Sequence, residues 1–492
     1  MSVGAAGRSS GRAGARGPSP AARPAGPAPA LTARPPGPAV RGDRPPAPVS
    51  APVPVAPARL CAYMVLRRVF EHGAYADRAL QAESRALSDR DRALAMRLAF
   101  GAVQRRATTD HVIELLAGRP VRRLDGSVLA ALRLGAYELL FLAGAPDRAV
   151  VDDAVQLAKE AGRGHGLVNA VLRRAAREGP GLLETMDDAT PAGAAARHSH
   201  PQWLADMWWP ALGADQARAL MVADNEPAEL ALRANALVGT AEELTSQLDV
   251  HSRVGPWPPE AVVVEGPLDA HGTPQWRDGA YMPQSRAAML VARVLAPRPG
   301  ERVLDLCAAP GAKTTHLAAL MGDRGEILAV ERHPGRAAAL RRTCRRMHVN
   351  CVRVTVADAV ESLPGRPLFD RVLLDPPCSG LGTLAARPDL RWRVSPERVD
   401  EMAIEQASLL ARAAAAVRPG GTLVYSTCTI SAPENENQIR VLLSDRTDFV
   451  LDDLSGEWPL LRHPSHGRML LTLPHRDATA GFFVARLRRE HA

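Results

Sequence analysis

The sequence predicts a doubly wound, Rossmann-like α/β domain that follows an all-α helical domain, the two preceded by a disordered tail. Three observations lead there: a start with almost nothing to bury, a stretch of purely helical periodicity, and short apolar runs alternating with helical patterns from Gly300 onward. The chain has 492 residues, room for several domains of about 100–200 residues each. Its 42 prolines and 39 glycines must gather outside the cores.

Residues 1–57 are mostly Ala, Pro, Gly, Arg and Ser, so burial there cannot offset the conformational entropy lost on folding. A disordered, solubilising tail is expected. Its composition is that of a transit peptide, but its prolines would interrupt the amphipathic helix such a peptide needs. Residues 58–185 carry apolar positions at helical spacing: Leu60, Met64, Leu66, Val69 and Phe70, then Leu94, Leu98 and Val103, then Val128, Leu132, Leu139 and Leu140. Gly118-Arg119-Pro120, Gly144-Ala145-Pro146 and Gly179-Pro180-Gly181 punctuate these runs. One helical bundle follows from that pattern.

Residues 186–280 are mixed and read as a linker with a small α+β, RNA-binding subdomain. They hold Trp203, Trp208 and Trp209, a helical stretch over 215–223, and β-like pieces at 230–235 and 261–264. In residues 281–492, strands are predicted at 302–306, 326–330, 351–356, 371–374 and 422–425, with helical patterns between them. That alternation predicts a parallel sheet with helices on both faces.

Sixty-one Lys and Arg against 53 Asp and Glu leave a net charge of +8, which favours a polyanionic partner, nucleic acid first. Lys159 and Lys313 are the only lysines. Six cysteines lie scattered, without a C-x-x-C pair or a Cys/His cluster at zinc spacing, so neither a disulfide framework nor a metal is indicated. No apolar run reaches the roughly 18–20 residues of a membrane span. A cytoplasmic monomer is expected.

The first strand of the α/β part runs into Cys307-Ala308-Ala309-Pro310-Gly311-Ala312-Lys313, and a helix follows. A strand-to-helix turn of small residues brings backbone N–H groups close to a ligand at the carboxyl edge of a sheet. Neither G-x-G-x-x-G nor the Walker spacing is present. Glu331, about twenty residues further on, ends the second strand, where a carboxylate can accept both hydroxyls of a ribose. Asp358 ends the third and can reach an adenine. Three strand ends thus converge on one nucleoside.

The fourth strand leads into Asp375-Pro376-Pro377-Cys378-Ser379-Gly380 and the fifth into Ser426-Thr427-Cys428-Thr429. Two cysteines at neighbouring strand ends suggest a nucleophile and its helper. Where amino-directed methyltransferases place an aromatic residue after D-P-P, this chain has Cys378, so chemistry at a pyrimidine carbon fits better. Carbon 5 of cytosine becomes reactive once a thiolate adds at carbon 6, which is covalent catalysis.

Five segments carry a specific resemblance: DLCAAPGAKTTHLA at 305–318, LLDPPCSGLGT at 373–383, RPDLRW at 387–392, YSTCTISAPENE at 425–436 and GFFVARLRR at 481–489. Together they resemble the NOL1/NOP2/Sun family of S-adenosylmethionine-dependent RNA cytosine-5 methyltransferases. The stretch VDDAVQLAKEAGRGHGLVNAVLRRAARE at 151–178 resembles the NusB-like RNA-binding domain fused to the bacterial ribosomal RNA members of the RsmB/Sun type. The resemblance implies methylation of a ribosomal RNA cytidine, in the small subunit. Cys428 would be the nucleophile and Cys378 would assist breakdown of the adduct. Asp375 would contact the cytosine near the methyl donor, and Cys307 to Lys313, Glu331 and Asp358 would hold S-adenosylmethionine. Two positions depart from the family pattern: Ala312 replaces the second glycine of Gly-Gly-Lys, and Ser285 follows Gln284 in place of an acid. His165, Arg173, Arg174 and Arg177 supply cations for RNA phosphates.

Transfer RNA methylation is the nearest rival. A non-catalytic NusB-like RNA-binding factor is a rival of another class, opposed by the joint presence of Cys378, Cys428, Asp375 and Lys313. A DNA cytosine methyltransferase, suggested by Pro377-Cys378, is opposed by the second cysteine and the NusB-like part.

Overall fold

The computed structural model describes residues 54–359 and 368–491. Of the expected tail, residues 1–53 lie outside the described residues, while Val55 is already buried in the core of the bundle that follows.

That bundle comprises α1 (Pro57–His72), α2 (Ala76–Glu83), α3 (Asp89–Gln104), α4 (Arg106–Ala117), α5 (Gly126–Phe141), α6 (Asp147–Glu160) and α7 (His165–Glu184). Local chemistry sets several of its boundaries. Proline at the first position starts α1, where its missing N–H costs nothing. Ser88 and Asp125 cap α3 and α5 by accepting the N–H of Asp91 and Ser127. One expected break is absent, because α7 runs through Gly179-Pro180-Gly181 to Glu184. Gly179 serves packing instead: a Cβ there would meet Leu140 Cδ2 at 2.4 Å.

The region after the bundle divides. Helices α8 (Pro191–Arg197), α9 (Gln202–Leu212) and α10 (Ala214–Ala223) bury Leu204, Trp208, Leu220 and Met221 in one core with the large sheet, and Trp208 Nε1 donates to the Ile430 carbonyl at 2.9 Å. A small antiparallel sheet then forms from β1 (Leu230–Ala234), β2 (Ser252–Val254), β3 (Ala261–Val264) and β4 (Tyr281–Pro283), in the order β2-β3-β1-β4. Its last strand lies past residue 280, and it has its own core around Leu232, Leu244 and Val262.

The large sheet contains β5 (Arg302–Asp305), β6 (Glu326–Glu331), β7 (Val352–Val356), β8 (Phe369–Leu374), β9 (Val417–Thr427), β10 (Phe449–Leu451), β11 (Leu470–Thr472) and β12 (Phe482–Arg489). Its order is β10-β12-β9-β8-β5-β6-β7, with β11 paired to β12. The five strands from β9 to β7 are parallel, as the alternation predicts. Both faces are covered, so Val303, Leu304 and the run Ile327–Val330 are almost wholly buried. The rest of the sheet is antiparallel through β12, which pairs with β9, β10 and β11. A purely parallel sheet is therefore corrected to a mixed one. A helix, Glu436–Asp445, still separates β9 from β10, but only the short turns Pro459–Leu461 and Pro474–Asp477 lie between β10, β11 and β12, which pair antiparallel.

Residues 391–393 join the bundle to the α/β part. The Arg391 guanidinium, fully buried, donates to the carbonyls of Ser199 (3.0 Å) and Asp224 (2.8 Å) and to Asn225 Oδ1 (2.9 Å). Trp392 Nε1 donates to the Val103 carbonyl at 2.7 Å and Arg393 Nη1 to the Gly73 carbonyl at 2.6 Å. Among the described residues no helix is long and apolar enough to cross a membrane.

Candidate active site

The chain leaves β5 toward β6 and β7 on one side, then returns through β8 and β9 on the other, so strand order reverses between β5 and β8. Ligands of open α/β sheets bind at such a reversal, outside the carboxyl ends of the strands. Here that edge opens into a cleft of about 1660 Å³.

The loop after β5 is sewn to its neighbours: the Leu306 N–H donates to the Leu373 carbonyl (3.1 Å) and the Ala308 N–H to the Val330 carbonyl (3.0 Å). Gly311 turns it into the helix Ala312–Leu320 at φ +106°, and a Cβ at this position would sit 2.6 Å from Leu340 Cδ1. Only glycine combines that backbone with that contact. Thr314 Oγ1 donates to Asp305 Oδ2 at 2.7 Å inside the turn. Burial pushes the Asp305 carboxyl up to about 6 despite that bond.

Lys313, in the first turn of this helix, places Nζ 2.6 Å from Asp375 Oδ2 at the end of β8, while Ser426 Oγ at the end of β9 donates to Asp375 Oδ1 at 2.9 Å. Burial opposes the ammonium, but Asp375 outweighs it and the Lys313 pKa is raised. The two cysteines meet beside this pair, with Cys378 Sγ 3.2 Å from Cys428 Sγ. Their titrations are opposite. Cys428 is lowered, first because the Cys378 thiol donates to it, with Lys313 and Arg387 assisting against burial and Asp375. Cys378 is pushed well up by the same partner and by burial. Of the two thiols, Cys428 is the one whose surroundings favour ionisation.

A buried polar network holds the two cysteine loops together. Glu434 accepts from the Ser379 N–H (2.8 Å) and from Gln406 Nε2 (3.1 Å), while Gln406 Nε2 also donates to the Pro377 carbonyl (2.8 Å). Tyr425 Oη donates to the Glu434 carbonyl at 2.6 Å, and Asn435 Nδ2 to the Thr429 carbonyl at 3.0 Å. Glu434, Gln406 and Asn435 were not singled out by sequence. Glu434 and Asn435 fall in the PENE at 433–436 inside a quoted motif, whereas Gln406 lies in none of the quoted motifs.

Of the residues expected to hold a cofactor, Cys307, Ala309, Pro310 and Lys313 line the cleft, as do Glu331, Asp358 and Asp375. Cys378 and Cys428 line it too. Ala308, Gly311 and Ala312 do not: Ala308 and Gly311 are buried in shaping the turn, and the Ala312 carbonyl accepts from Arg233. The Ala312 methyl therefore stands outside the cleft lining. Ser285 caps the helix Arg286–Leu295 by accepting the Ala288 N–H, a position that serine fills well. Glu331 is 95% buried and accepts the His333 N–H at 2.9 Å with one oxygen. Successive strand-end carboxylates beside a loop of small residues form a donor and acceptor set that suits a nucleoside with a cationic centre. Among the described residues no group of three or more His, Cys, Asp or Glu side chains could hold a metal ion.

On α7, His165, Arg173 and Arg177 are exposed, whereas Arg174 is engaged by Glu178 (2.8 Å) and the Leu116 carbonyl (2.7 Å).

Residues 292–488 match the family described as 16S rRNA methyltransferase RsmB/F, residues 56–177 the NusB family, and residues 200–271 the ferredoxin-like domain of RsmF/B-like methyltransferases. A probable ribosomal RNA small subunit methyltransferase B from Synechocystis is 35% identical over 451 residues, 88% of this chain and 99% of that protein. The ribosomal RNA small subunit methyltransferase B of Thermus thermophilus is 37% identical over 403 residues, 82% and 89% of the two chains. Among solved structures, that of PH0851 superposes with a TM-score of 0.74 at 27% identity, covering 89% of this chain and all of that one.

Proposed function

The chain belongs to the 16S rRNA methyltransferase RsmB/F family, and on that premise we propose that it methylates carbon 5 of a cytidine in small-subunit ribosomal RNA through a covalent Cys428 adduct. The Cys378–Cys428 pair, 3.2 Å apart at the ends of adjacent strands, is the observation that carries this reading. S-adenosylmethionine supplies an electrophilic methyl group on a sulfonium. Glu331 and Asp358 would hold its nucleoside, and Cys307, Ala309, Pro310 and Lys313, the residues of the loop 307–313 that line the cleft, would accommodate the remainder.

Cys428 Sγ forms a bond to carbon 6 of the cytosine, and the displaced electron pair makes carbon 5 nucleophilic. Once carbon 5 has taken the methyl group, with S-adenosylhomocysteine as the leaving group, a base accepts the carbon 5 proton, that C–H electron pair re-forms the 5,6 double bond, and the carbon–sulfur bond breaks to restore the Cys428 thiolate. Cys378 serves this breakdown from its place beside Cys428. Asp375, fixed on one oxygen by Lys313 and on the other by Ser426, contacts the cytosine ring. The same reading takes the enzyme to be cytoplasmic and to act as a monomer. Bisulfite sequencing of 16S ribosomal RNA from cells lacking the gene is the direct test: one cytidine protected in the parent should become convertible. An unchanged pattern refutes the proposal.

A further inference from the structure

The small sheet lies on the primary chain well before the loop after β5, yet one of its side chains reaches that loop. Arg233, on β1, is 1% exposed. One nitrogen, Nη1, donates to Gln284 Oε1 (2.6 Å) and to the Ala312 carbonyl, and Nη2 donates to Thr315 Oγ1 (2.9 Å). The Ala312 carbonyl belongs to the peptide whose nitrogen is that of Lys313. A trans peptide is planar, so fixing its carbonyl on one side fixes the N–H on the other. The first turn of this helix is thereby clamped at the residue that carries Nζ to Asp375.

Fold stability is a poor reason for this arrangement. The amino end of a helix carries partial positive charge and disfavours cations, yet Arg233 and Lys313 both stand there. Arg233 also keeps Nε without a partner, and burial brings its pKa down to about 9, with Glu260 supporting the charge and Arg346 opposing it. A neutral donor could hold a carbonyl without burying a charge.

We propose that Arg233 is a positioning residue for methyl transfer: from the small sheet it clamps the Ala312–Lys313 peptide, sets Lys313 against Asp375, and so governs the reactivity of Cys428. The seat of the small sheet is then coupled to the nucleophile. This inference rests on the reading of Cys428 given above, and its test requires neither RNA nor turnover.

The test is alkylation of the full chain by iodoacetamide across a pH series, with Cys428 followed by peptide mass spectrometry. The charged and titratable groups acting on that thiol are Cys378, Asp375, Lys313 and Arg387. In Arg233→Met the Cys428 midpoint should move up by about half a pH unit or more as Lys313 loses its fixed place. Thr315→Val, which removes the acceptor of Nη2 together with the hydroxyl's own bonds to the Gly311 and Ala312 carbonyls while leaving Arg233 on the Ala312 carbonyl, should shift the midpoint in the same direction by less. A folded Arg233→Met protein with an unmoved midpoint overturns the proposal. If that variant does not fold, an unmoved midpoint in Thr315→Val overturns it. Should wild-type Cys428 prove no more reactive than Cys378, the nucleophile assignment fails instead, and the two failures remain distinct.

Discussion

Cys307 and Cys428 line the same cleft from two strand ends, Cys307 just past β5 and Cys428 just past β9, yet their surroundings drive them apart. Burial raises the Cys307 thiol, and the carboxylates of Asp305, Asp375, Glu331 and Glu405 raise it further. Cys428 is also buried, but the Cys378 thiol donates to it and Lys313 and Arg387 stand near, so the balance reverses. Strand-end placement supplies access. The local charge inventory decides which sulfur can be a nucleophile, because only the thiolate attacks. Glu331, the carboxylate proposed for the ribose, is among the acids that raise the Cys307 thiol, so Cys307 is expected to be the inert one of the two.

The largest effects should come from breaking the reactive side. Cys428→Ala is expected to abolish methyl transfer from tritiated S-adenosylmethionine while the melting temperature stays within a few degrees, since a small residue fits there. Cys378→Ala should instead accumulate a protein–RNA adduct that survives denaturing electrophoresis. If Cys428→Ala were the variant that accumulated adduct, the two roles would be exchanged.

A smaller effect is expected on the inert side. Glu331→Ala should raise the Michaelis constant for S-adenosylmethionine by about ten- to a hundredfold with little change in kcat, because a hydrogen bond to a charged acceptor is worth roughly 1.5–3 kcal/mol in ground and transition states alike. A change confined to kcat would contradict a role in ribose binding.

The contrast itself can be read by alkylation at graded pH. A lowered pKa means that thiolate persists at lower pH, so Cys428 should react with a midpoint below that of an unperturbed thiol. A raised pKa means the reverse, and Cys307 should react only above it. Coincident midpoints would erase the distinction. The smallest change belongs to Cys307→Ala, which should form the adduct at the wild-type rate, measured by gel shift on trapped RNA.

The parallel half of the sheet and the chemistry at its edge were legible because both are local. The loop 307–313, Glu331, Asp375, Cys378 and Cys428 each follow an apolar strand directly, and period and punctuation report such neighbours. What remained hidden depends on partners remote in sequence. Arg391 finds Asp224 and Asn225 some 166 residues away, and Arg233 finds Ala312 across 79. Glu434 gains its role only when Ser379 and Gln406 are brought beside it. Nor does alternation announce β12, whose insertion between β9 and β10 follows from antiparallel pairing over long intervals. At Gly179 a glycine that signals a break in sequence instead admits Leu140.

The place of β12 bears on the order in which the molecule can be made. A ribosome delivers this strand after every other strand of the large sheet, yet it occupies an interior position, paired with β9 from Thr427↔Phe483 to Thr422↔Arg488. Phe482 lies 5.1 Å from Lys313 Nζ, and the Gly481 N–H donates to the Gly382 carbonyl at 2.7 Å. Until translation reaches that segment, β9 has an open side and the loop bearing Cys378, though held by Glu434 and Gln406, lacks the bond from Gly481. The nascent chain thus carries both thiols before β12 is there to complete the sheet beside them. Stopping translation before Gly481 should leave a product whose Cys428 loses its preferential alkylation, a result measurable on the stalled chain itself.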